Sequence, residues 1–555
     1  MNEHTVDILV VGSGAGAMTA ALRAAHAGAE VLIIEKGEKY GGTSATSGGG
    51  LWIPCNHLMP DVGISDSREQ ALNYLHALTA GSVADATLEA FVDKGPEMLK
   101  WLENNSHVHY MAMEHYADYY QEVDGAAPGG RSIDPYPYEA QALGDEFLHM
   151  QDNHVQTKVL GLMGYTNIEG AILLSKSPGW FKLVLKLAFD YFTDIPGRLK
   201  SRKSRRLTMG NALIGRLRHS LLDHDVPLWR NCAAKELVVE GGRISAVMVE
   251  REGQRELIRA RKGVVLASGG FEASQELREQ HLPRPTNAKW SSANPLNTGD
   301  MLKAAEDIGA ATHLMDEAWW GPSIVLPGED RSRQLFTERS MPGCIMVNIN
   351  GERFVNESVA YTACVQAMQK QPDARAWVIF DSRYKREYPF GPLLPDAMHL
   401  NWLQPAKFRK LLIKAADISE LAKQLNVDAA ALENTVERFN AFSESGVDAD
   451  FHRGENAYDL LYGDIRLQPN PCLAPIVEAP FYAMEVFPGD IGTKGGLLTN
   501  EGAQVLNKQG EVIDGLYAIG NCAASITGTS YPGAGATLGP AMTFGFIAAE
   551  QLCQS

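Results

Sequence analysis

A tyrosine and a run of glycines stand together near the end of the chain, where residues 529–540 have the sequence TSYPGAGATLGP. Small residues allow sharp turns that expose backbone N–H groups, and Tyr531 adds a phenolic hydroxyl. A hydroxyl and a backbone N–H that converge on one point can grip a carbonyl oxygen and stabilise negative charge on it. The stretch therefore predicts carbonyl chemistry, and the rest of the chain has to supply the elements that position it.

The first 36 residues carry the pattern of a dinucleotide-binding unit. A strand at 6–11 is followed by Gly-Ser-Gly-Ala-Gly-Ala at 12–17, a helix at about 18–27 and a second strand at 30–34. The first glycine permits the tight turn, the second lets N–H groups approach a pyrophosphate, and the acid after the second strand can accept from ribose hydroxyls. The alternative is a glycine turn in an ordinary βαβ unit. The predicted contacts are Gly12, Gly14, Ala15, Gly16, Ala17, Glu35 and Lys36.

A second loop rich in glycine, serine and threonine, residues 41–50, favours FAD over a nicotinamide cofactor. It can surround more phosphate and ribityl oxygens than a nicotinamide enzyme needs at that point. Further glycine turns follow strands at 268–270 and 520–521. Because both ends of the chain would build one site, the nucleotide-binding domain is predicted to be interrupted by an insertion. The FAD contacts expected from the second loop are Gly42, Thr43, Ser44, Ser47, Gly48 and Gly49.

Composition excludes several other classes of protein. The chain has 555 residues and a formal net charge of −17, which argues against nucleic acid as a partner because such proteins need a basic footprint. The seven cysteines are scattered and fit the reduced thiols of a cytoplasmic protein. The start of the chain does not resemble a signal peptide, and no apolar run approaches the ~20 residues of a membrane span. None of the 15 histidines is spaced like a metal ligand, so no metal is expected.

These motifs resemble those of the fumarate reductase/succinate dehydrogenase flavoprotein superfamily, and within it the 3-ketosteroid Δ1-dehydrogenases. The superfamily motifs are the N-terminal glycine pattern and residues 41–50, 268–270, 297–300, 350–357 and 515–521. The steroid-specific motifs are residues 118–120 (DYY), 356–361 (NESVAY), 488–496 (PGDIGTKGG) and 531–535 (YPGAG).

The resemblance implies an α/β fold with a Rossmann-like FAD-binding domain that is split in sequence. Residues 1–285 and 485–555 would form this domain, and residues 286–484 an inserted α+β catalytic domain. Thr43 stands where some members carry a histidine bonded to flavin, so FAD should be non-covalent. The arginine-centred dicarboxylate grip of fumarate reductases is not found. The other FAD contacts are Ala234, Ser268, Gly269, Gly270, Asn297, Gly299, Asp300, Gly520, Asn521, Ala536, Thr537 and Leu538, the last three opening a helix that faces the flavin.

The resemblance also assigns chemistry to individual residues. Tyr531 and the N–H of Gly535 would hold the C3 carbonyl of a steroid, Tyr361 would take the C2 proton, and flavin N5 would take the C1 hydride. A tyrosine base with a pKa near ~10 needs help at neutral pH, so a second phenol should donate to it. Tyr119 is the candidate for that donor, with Tyr120 the alternative. The plain alternative for each tyrosine is a packing role with its hydroxyl bonded locally.

The segment 180–206 has two interpretations. An apolar stretch at 180–192 precedes a basic run at 198–206, which favours a core helix followed by a solvated charge run. The alternative is peripheral contact with the inner face of an anionic membrane, where steroids and quinones dissolve. Because no haem motif is present, the electrons would leave to a separate acceptor, for which a quinone is expected.

Four functions in three classes compete at this stage. The preferred one is FAD-dependent 1,2-desaturation of 3-ketosteroids. Other enzymatic alternatives are a fumarate-reductase-like flavoprotein acting on a small unsaturated acid and a 3-ketosteroid Δ4(5α)-dehydrogenase. A flavin-binding protein without catalytic activity is the third class.

Overall fold

The computed structural model of the protein describes residues 2–174, 178–403 and 405–554. Within them, the largest sheet is built around the strand Asn2–Val11, whose last six residues were predicted as a strand from their β-branched side chains. Its two neighbours run parallel to it, as in a nucleotide-binding unit. In order, the strands are Leu228–Trp229, Val31–Ile34, Asn2–Val11, Gln254–Leu266, Arg243–Arg251 and Cys232–Glu240, with Val512–Ala518 and Gln504–Leu506 added beside Gln254–Leu266.

The two ends of the chain meet in this sheet. The end of Gln254–Leu266 pairs on one side with Asn2–Val11 and on the other with Val512–Ala518, and both pairings are parallel. A strand from near residue 515 therefore lies two positions from the first strand of the protein. The expected α/β fold with a split nucleotide-binding domain is confirmed.

A second sheet is antiparallel and belongs to the middle of the chain. Its order is Arg333–Gln334, Ala318–Ile324, Phe481–Thr493, Ala376–Phe380 and Cys344–Val347, with Ile413–Ala415 on Phe481–Thr493. The domain boundary expected between residues 484 and 485 falls inside its longest strand. We therefore propose that the chain returns to the FAD-binding domain only after Thr493, because a strand paired on both sides folds with its own sheet.

Small sheets and helices complete the fold. Leu51–Trp52 and Tyr110–Ala112 pair with Ser132–Pro135, and the two-stranded pairs are Tyr138–Glu139 with Arg206–Leu207, Lys158–Val159 with Met163–Gly164, and Thr312–His313 with Gly496–Leu497. The α-helices are Ala15–His26, Gly42–Thr46, Arg68–Thr79, Asp85–Asn105, Asn167–Leu174, Trp180–Thr193, Ile195–Lys200, Met209–Asp223, Gln275–His281, Asp300–Asp307, Tyr361–Gln369, Ser382–Glu387, Ala406–Arg409, Ile418–Leu425, Ala429–Ser445, Ala457–Leu460 and Leu538–Gln554. The 3₁₀ helices are Met59–Val62, Ala140–His149, Val155–Thr157, Ala288–Trp290, Glu338–Ser340, Pro372–Ala374, Asp396–Met398, Asn401–Leu403 and Gly520–Cys522.

The first and last helices cross at very close range on one face of the large sheet. A Cβ added to Gly16 would come within 2.6 Å of the Ala541 carbonyl oxygen, and one added to Gly545 within 2.5 Å of the Gly16 carbonyl oxygen. Only glycine permits this approach, which brings the start of Leu538–Gln554 beside the glycine turn at residues 12–17. The C-terminal glycine run is thereby carried to the nucleotide-binding end of the molecule.

The favoured interpretation of Trp180–Thr193 as a core helix is wrong. Leu187 and Tyr191 are buried, but Phe181 and Leu185 are more than half exposed and Phe189 is 68% exposed. The basic run that follows is not simply solvated either, because several of its arginines form ion pairs with acidic side chains. These pairs are Arg205 and Arg198 with Asp194, and Arg206 with Glu169.

Candidate active site

One cavity of about 1330 Å³ joins the glycine turns of the large sheet to the tyrosines of the second half of the chain. All four predicted catalytic residues line it, namely Tyr119, Tyr361, Tyr531 and Gly535. The predicted cofactor contacts on its surface are Gly12, Gly14, Ala15, Gly16, Ala17, Glu35, Lys36, Gly42, Thr43, Ser44, Ser47, Gly48, Gly49, Ala234, Ser268, Gly269, Asn297, Gly299, Asp300, Gly520, Asn521, Thr537 and Leu538.

Two of the predicted cofactor contacts lie behind this lining. Gly270 faces away from the cavity, since a Cβ there would lie 2.0 Å from the Thr493 hydroxyl. Ala536 is fully buried and borders a separate small cavity of about 30 Å³. Both residues lie next to chain neighbours that line the large cavity.

The glycine end of the cavity fits a phosphate-bearing cofactor. Helix Ala15–His26 begins at Gly14, which has no side chain to cap it, and has no acid in its first turn. The Ala15 N–H donates to the Ser44 hydroxyl at 3.1 Å, and the next residues of the first turn line the cavity at the positive end of the helix dipole. Gly12 has φ +111°, and a Cβ there would lie 2.3 Å from the Ala267 carbonyl oxygen. Gly49 has φ +72°, and a Cβ there would lie 2.3 Å from Met209 backbone. Backbone, rather than side chains, forms this surface.

Glu35 is held firmly at the end of the second strand. Its carboxylate accepts from the Gly37 N–H at 2.8 Å and from the Ser13 hydroxyl at 2.5 Å. Burial raises its pKa, while these two hydrogen bonds oppose that shift. Beside it, Lys36 donates to Asp300 at 2.8 Å, which ties the cradle to the helix Asp300–Asp307.

Thr43 is oriented by residues from a distant part of the chain. Its hydroxyl oxygen accepts from the Asn294 N–H at 3.0 Å and from the Asn297 amide at 3.3 Å. Asn297 also donates to the buried carboxylate of Glu272 at 2.6 Å. Burial raises the pKa of Glu272 to about 7. These contacts fix the loop that wraps the cofactor end of the cavity.

The three predicted catalytic tyrosines form one cluster. The ring centroid of Tyr361 lies 5.0 Å from that of Tyr531 and 5.4 Å from that of Tyr119, and the latter two rings stack at 5.4 Å. Tyr361 is the first residue of the helix Tyr361–Gln369, which packs on the second sheet. Tyr531 lies in the loop before the helix Leu538–Gln554. The Tyr119 N–H donates to the Pro532 carbonyl at 2.9 Å, which joins two of the three segments directly.

The hydroxyls of this cluster are hydrogen-bonded in series. Tyr119 donates to Tyr361 at 3.3 Å, and Tyr361 faces the oxygen of Tyr531. Burial raises the pKa of Tyr361 well above its usual value, and the neighbouring Tyr531 adds to the rise, whereas the bond from Tyr119 lowers it. The structure therefore puts Tyr119 in the position expected of an assisting donor. Tyr120 is off the cavity surface, with its hydroxyl against Ser530 and the Tyr531 backbone.

Tyr531 and Gly535 lie next to each other on the cavity wall. Burial raises the pKa of Tyr531, and hydrogen bonds to its oxygen from Tyr361, the Thr537 hydroxyl and the Gly535 N–H oppose that rise. Gly535 has φ +98°, and a Cβ there would lie 2.5 Å from the Leu51 backbone.

Asp118, the first residue of the DYY motif, fixes the position of the Tyr119 segment through buried hydrogen bonds. Its carboxylate accepts from Arg131 at 2.7 Å, from the Trp52 indole at 2.7 Å and from the Ala127 N–H at 2.9 Å. Both Asp118 and Arg131 are almost fully buried. A satisfied buried ion pair of this kind holds the loop in one conformation.

Several cavity residues were not found from the sequence. Phe336 packs on Tyr361 with ring centroids 4.7 Å apart, and Tyr458 packs on Tyr119 at 4.6 Å. Tyr116 and Tyr462 are hydrogen-bonded to each other at 2.9 Å on the same wall. Each stands alone in sequence without a motif around it, so no local pattern could have marked it.

A three-residue group among the described residues has metal-ligand atoms close together, although no metal was expected. His219 and Asp223 are one helical turn apart, and His107 Nε2 lies 2.7 Å from the Asp223 carboxylate. The two imidazole rings stack at 3.9 Å with their planes only 9° apart. Their nitrogen lone pairs therefore run parallel instead of converging, and the arrangement supports no metal site.

Comparison with known proteins defines the class. A family profile described as "FAD binding domain" matches residues 7–538, and the chain belongs to this family of flavoproteins. FAD is its cofactor, in agreement with the prediction. Among the described residues, no helix is both long and apolar enough to cross a membrane.

The relatives narrow the family to the 3-oxosteroid 1-dehydrogenases. The 3-oxosteroid 1-dehydrogenase of Mycobacterium tuberculosis (strain ATCC 25618 / H37Rv) is 39% identical over 99% of this chain and 98% of its own length. A crystal structure of 3-ketosteroid delta1-dehydrogenase from Sterolibacterium denitrificans with 1,4-androstadiene-3,17-dione is 47% identical, with a TM-score of 0.95 over 99% of this chain and 100% of that one. The 4-oxocyclohexanecarboxylate 2-dehydrogenase of Sinomonas cyclohexanicum is 36% identical over 99% of this chain and 93% of its own length.

Structures named for the two alternative enzyme activities are less similar. A flavocytochrome c3 fumarate reductase is 24% identical and a 3-ketosteroid-delta4-(5alpha)-dehydrogenase from Rhodococcus jostii RHA1 is 21% identical, with TM-scores of 0.65 and 0.68. They share the fold, and the 1,2-desaturase remains the favoured function.

Proposed function

We propose that the protein is an FAD-dependent 3-oxosteroid 1-dehydrogenase that introduces the C1–C2 double bond into 3-ketosteroids. The observation that carries this proposal is the convergence of Tyr531, Gly535 and Tyr361 at one point of the cavity that the FAD cradle opens into. A ketone oxygen bound by Tyr531 and the Gly535 N–H has its neighbouring C–H bonds beside Tyr361.

Each residue then has one task. Tyr531 and Gly535 donate to the C3 oxygen and stabilise the negative charge that develops there when the C2 proton leaves. Tyr361 takes that proton on its phenolate oxygen, and the hydrogen bond from Tyr119 favours the phenolate. FAD, when bound, accepts the C1 hydrogen as hydride. One proton and one hydride leave adjacent carbons, so the electrons balance in the new double bond.

The cavity wall beyond the tyrosines suits a fused-ring body. Apolar residues from the segments around 155–184 and 389–408 line it, and they expose few groups that would need hydrogen bonds from a substrate. The residues are Val155, Leu160, Leu173, Phe181, Val184, Pro389, Pro392, Leu394, Met398 and Phe408. A steroid buries its rings against such a wall while its ketone is held at Tyr531.

Anaerobic reduction of the bound flavin tests the proposal. We expect androst-4-ene-3,17-dione to bleach the yellow flavin and to yield 1,4-androstadiene-3,17-dione. A Δ4(5α)-dehydrogenase cannot oxidise this substrate, since its C4–C5 bond is already unsaturated. Bleaching by succinate or 4-oxocyclohexanecarboxylate in place of the steroid would assign the site to a small acid, and a flavin that no ketone reduces would exclude catalysis.

We further propose that FAD is held non-covalently and that a quinone takes the electrons. Thr43 supports the first point, because a hydroxyl that accepts hydrogen bonds from Asn294 and Asn297 stands where a histidine would be bonded to flavin. Release of the yellow cofactor into the supernatant after acid precipitation is expected. Steady turnover with a soluble quinone in air-free buffer checks the second point, and failure of every quinone tested would redirect it to another acceptor.

The exposed apolar side of residues 180–200 supports peripheral membrane contact of a cytoplasmic protein. This membrane face consists of Phe181, Leu185, Phe189, Phe192, Ile195 and Leu199. Phe181 also lines the cavity, so the face lies beside an opening through which a lipid-dissolved steroid would enter. Contiguous exposed apolar side chains on a surface helix are typical of interfacial binding.

Flotation with vesicles containing anionic lipid tests this contact. We expect the protein to float at low salt, and Phe189→Ser/Phe192→Ser to reduce the floating fraction several-fold. Ile465→Ser is the matched control, because Ile465 is 81% exposed but lies outside the membrane face. An unchanged floating fraction in the double variant, or no flotation of the parent protein, would remove the proposal.

A further inference from the structure

Lys494 is a fully buried lysine at the end of the longest strand of the second sheet. Its ammonium donates to the carbonyl of Gly528 at 3.0 Å and to the carbonyl of Ser530. The same nitrogen lies 4.6 Å from the centre of the Trp319 ring, a cation–π distance. The charged group therefore contacts one short segment of backbone and one indole.

Both sets of contacts lead to Tyr531. Ser530 precedes it directly, and its carbonyl also accepts from the Thr527 hydroxyl at 2.9 Å. The Trp319 ring makes an edge-on contact with the Tyr531 ring, with centroids 4.9 Å apart. Trp319 is held in turn by a hydrogen bond from its indole to Asn521 at 3.1 Å. One ammonium thus fixes the chain before Tyr531 and the ring beside it.

Placing a lysine here is energetically unfavourable. Burial lowers the pKa of Lys494 to about 7, and the charge of Glu317 opposes this shift. An uncharged side chain of the same volume would fill the space without that cost. This cost of burial indicates that the N–H donors of the lysine are needed at this position.

We propose that Lys494 is a positioning residue that aims the Tyr531 hydroxyl at the substrate carbonyl by holding the Gly528 and Ser530 carbonyls and the Trp319 ring. This inference rests on the proposed function, because it assumes that Tyr531 binds a ketone. It predicts that loss of the ammonium weakens recognition of the ketone oxygen specifically, and not steroid binding in general.

The test compares two ligands that differ by one oxygen. The product 1,4-androstadiene-3,17-dione and its analogue androsta-1,4-dien-17-one, which lacks the C3 oxygen, are titrated into the oxidised holoenzyme while the visible flavin spectrum is recorded. Lys494→Met is expected to weaken binding of the ketone ~10- to 100-fold and that of the analogue less than ~3-fold. Equal losses for both ligands would overturn the proposal, because a purely structural lysine lowers both alike.

A double variant tests the route through Tyr531. If Lys494 acts through this residue, Lys494→Met should weaken ketone binding by less than ~3-fold once Tyr531→Phe is present. The same ~10-fold loss in both backgrounds would show an effect independent of Tyr531 and would overturn the proposal. Should Lys494→Met not retain FAD, Lys494→Gln replaces it with the same two outcomes, since it leaves the site without a charge.

Lys203 supplies a matched control. It is partly buried, donates to the Met150 carbonyl at 2.7 Å and the Phe147 carbonyl at 3.2 Å, and lies 4.7 Å from the Phe147 ring centre. Lys203→Met removes the same kind of contacts at a place away from Tyr531, so it should lower the melting temperature without changing the ratio of the two affinities. A protein that binds neither ligand before mutation would contradict the proposed function, whereas normal binding with an unchanged ratio in Lys494→Met contradicts the positioning role alone.

Discussion

The two ends of the active-site cavity are built by opposite means. At the cofactor end, backbone N–H groups at glycine turns form the surface, and a side chain at Gly12 would collide with the chain opposite. At the substrate end, side-chain hydroxyls of Tyr119, Tyr361 and Tyr531 form the surface. The cofactor end therefore requires glycine positions that carry no side chain, whereas the substrate end requires particular side-chain hydroxyls. Each should fail in its own way when mutated.

The largest effect is expected at the cofactor end. Gly12→Ala places a Cβ 2.3 Å from the Ala267 carbonyl at φ +111°, so the turn has to move and the purified variant should lack FAD and activity. Gly28→Ala is the control, because Gly28 also has positive φ (+88°) but no atom within 4 Å of the added Cβ. It should lose ~1 kcal/mol of unfolding free energy and keep its flavin. A yellow, active Gly12→Ala protein would contradict the backbone cradle.

Tyr361→Phe should separate chemistry from binding. The variant keeps the aromatic packing but has no base, so we expect kcat to fall ~10³-fold with FAD content unchanged. Affinity for 1,4-androstadiene-3,17-dione, measured from the flavin spectrum, should change less than ~3-fold. Retained turnover would assign the base to another residue.

Tyr531→Phe should affect both binding and turnover. Removing one of two donors to the developing oxyanion typically costs ~3–4 kcal/mol, so kcat/KM should fall ~10²- to 10³-fold. Unlike Tyr361→Phe, this variant should also bind the dienone more weakly in the flavin titration. Unaltered affinity would mean that the ketone is held elsewhere.

The smallest effect is expected from Tyr119→Phe and is best seen in a pH profile. Burial raises the pKa of Tyr361, so the phenolate is scarce below pH ~10 and kcat should rise through pH 7–9 without a plateau. The bond from Tyr119 lowers that pKa, so its removal raises the pKa further. The profile of Tyr119→Phe should therefore move to higher pH, with kcat at pH 8 lower by ~10-fold. A shift to lower pH would reverse the assigned role.

The comparison also explains which parts could be predicted. The cofactor cradle follows from contiguous strand–glycine–helix patterns, because the turn, the free N–H groups and the acid lie within 25 residues of one another. Tyr531 and Gly535 are likewise four residues apart. In contrast, the choice between Tyr119 and Tyr120 depends on residues more than 200 positions away, and the contacts of Lys494 join three separate segments of the chain.

The interpretation of residues 180–192 failed for a different reason. An apolar stretch shows that side chains avoid water, but it does not show what covers them. The structure leaves Phe189 and Phe192 exposed, because the segment packs through Leu187 and Tyr191 on Met163 and its neighbours and not on the main core. The boundary at 484/485 came from the family resemblance, whereas the pairing of Phe481–Thr493 on both sides supports our proposed boundary after Thr493.

The sequence by itself determined the backbone geometry of the FAD site, the α/β class and the pairing of a phenol with a glycine N–H, because these depend on neighbours along the chain. Only the tertiary structure decided which phenols meet. The helix that begins at Tyr361 belongs to the second sheet, and Tyr531 lies where the last helix joins the first. Their hydroxyls converge because two separately formed sheets pack around one cavity, and no local spacing encodes that distance.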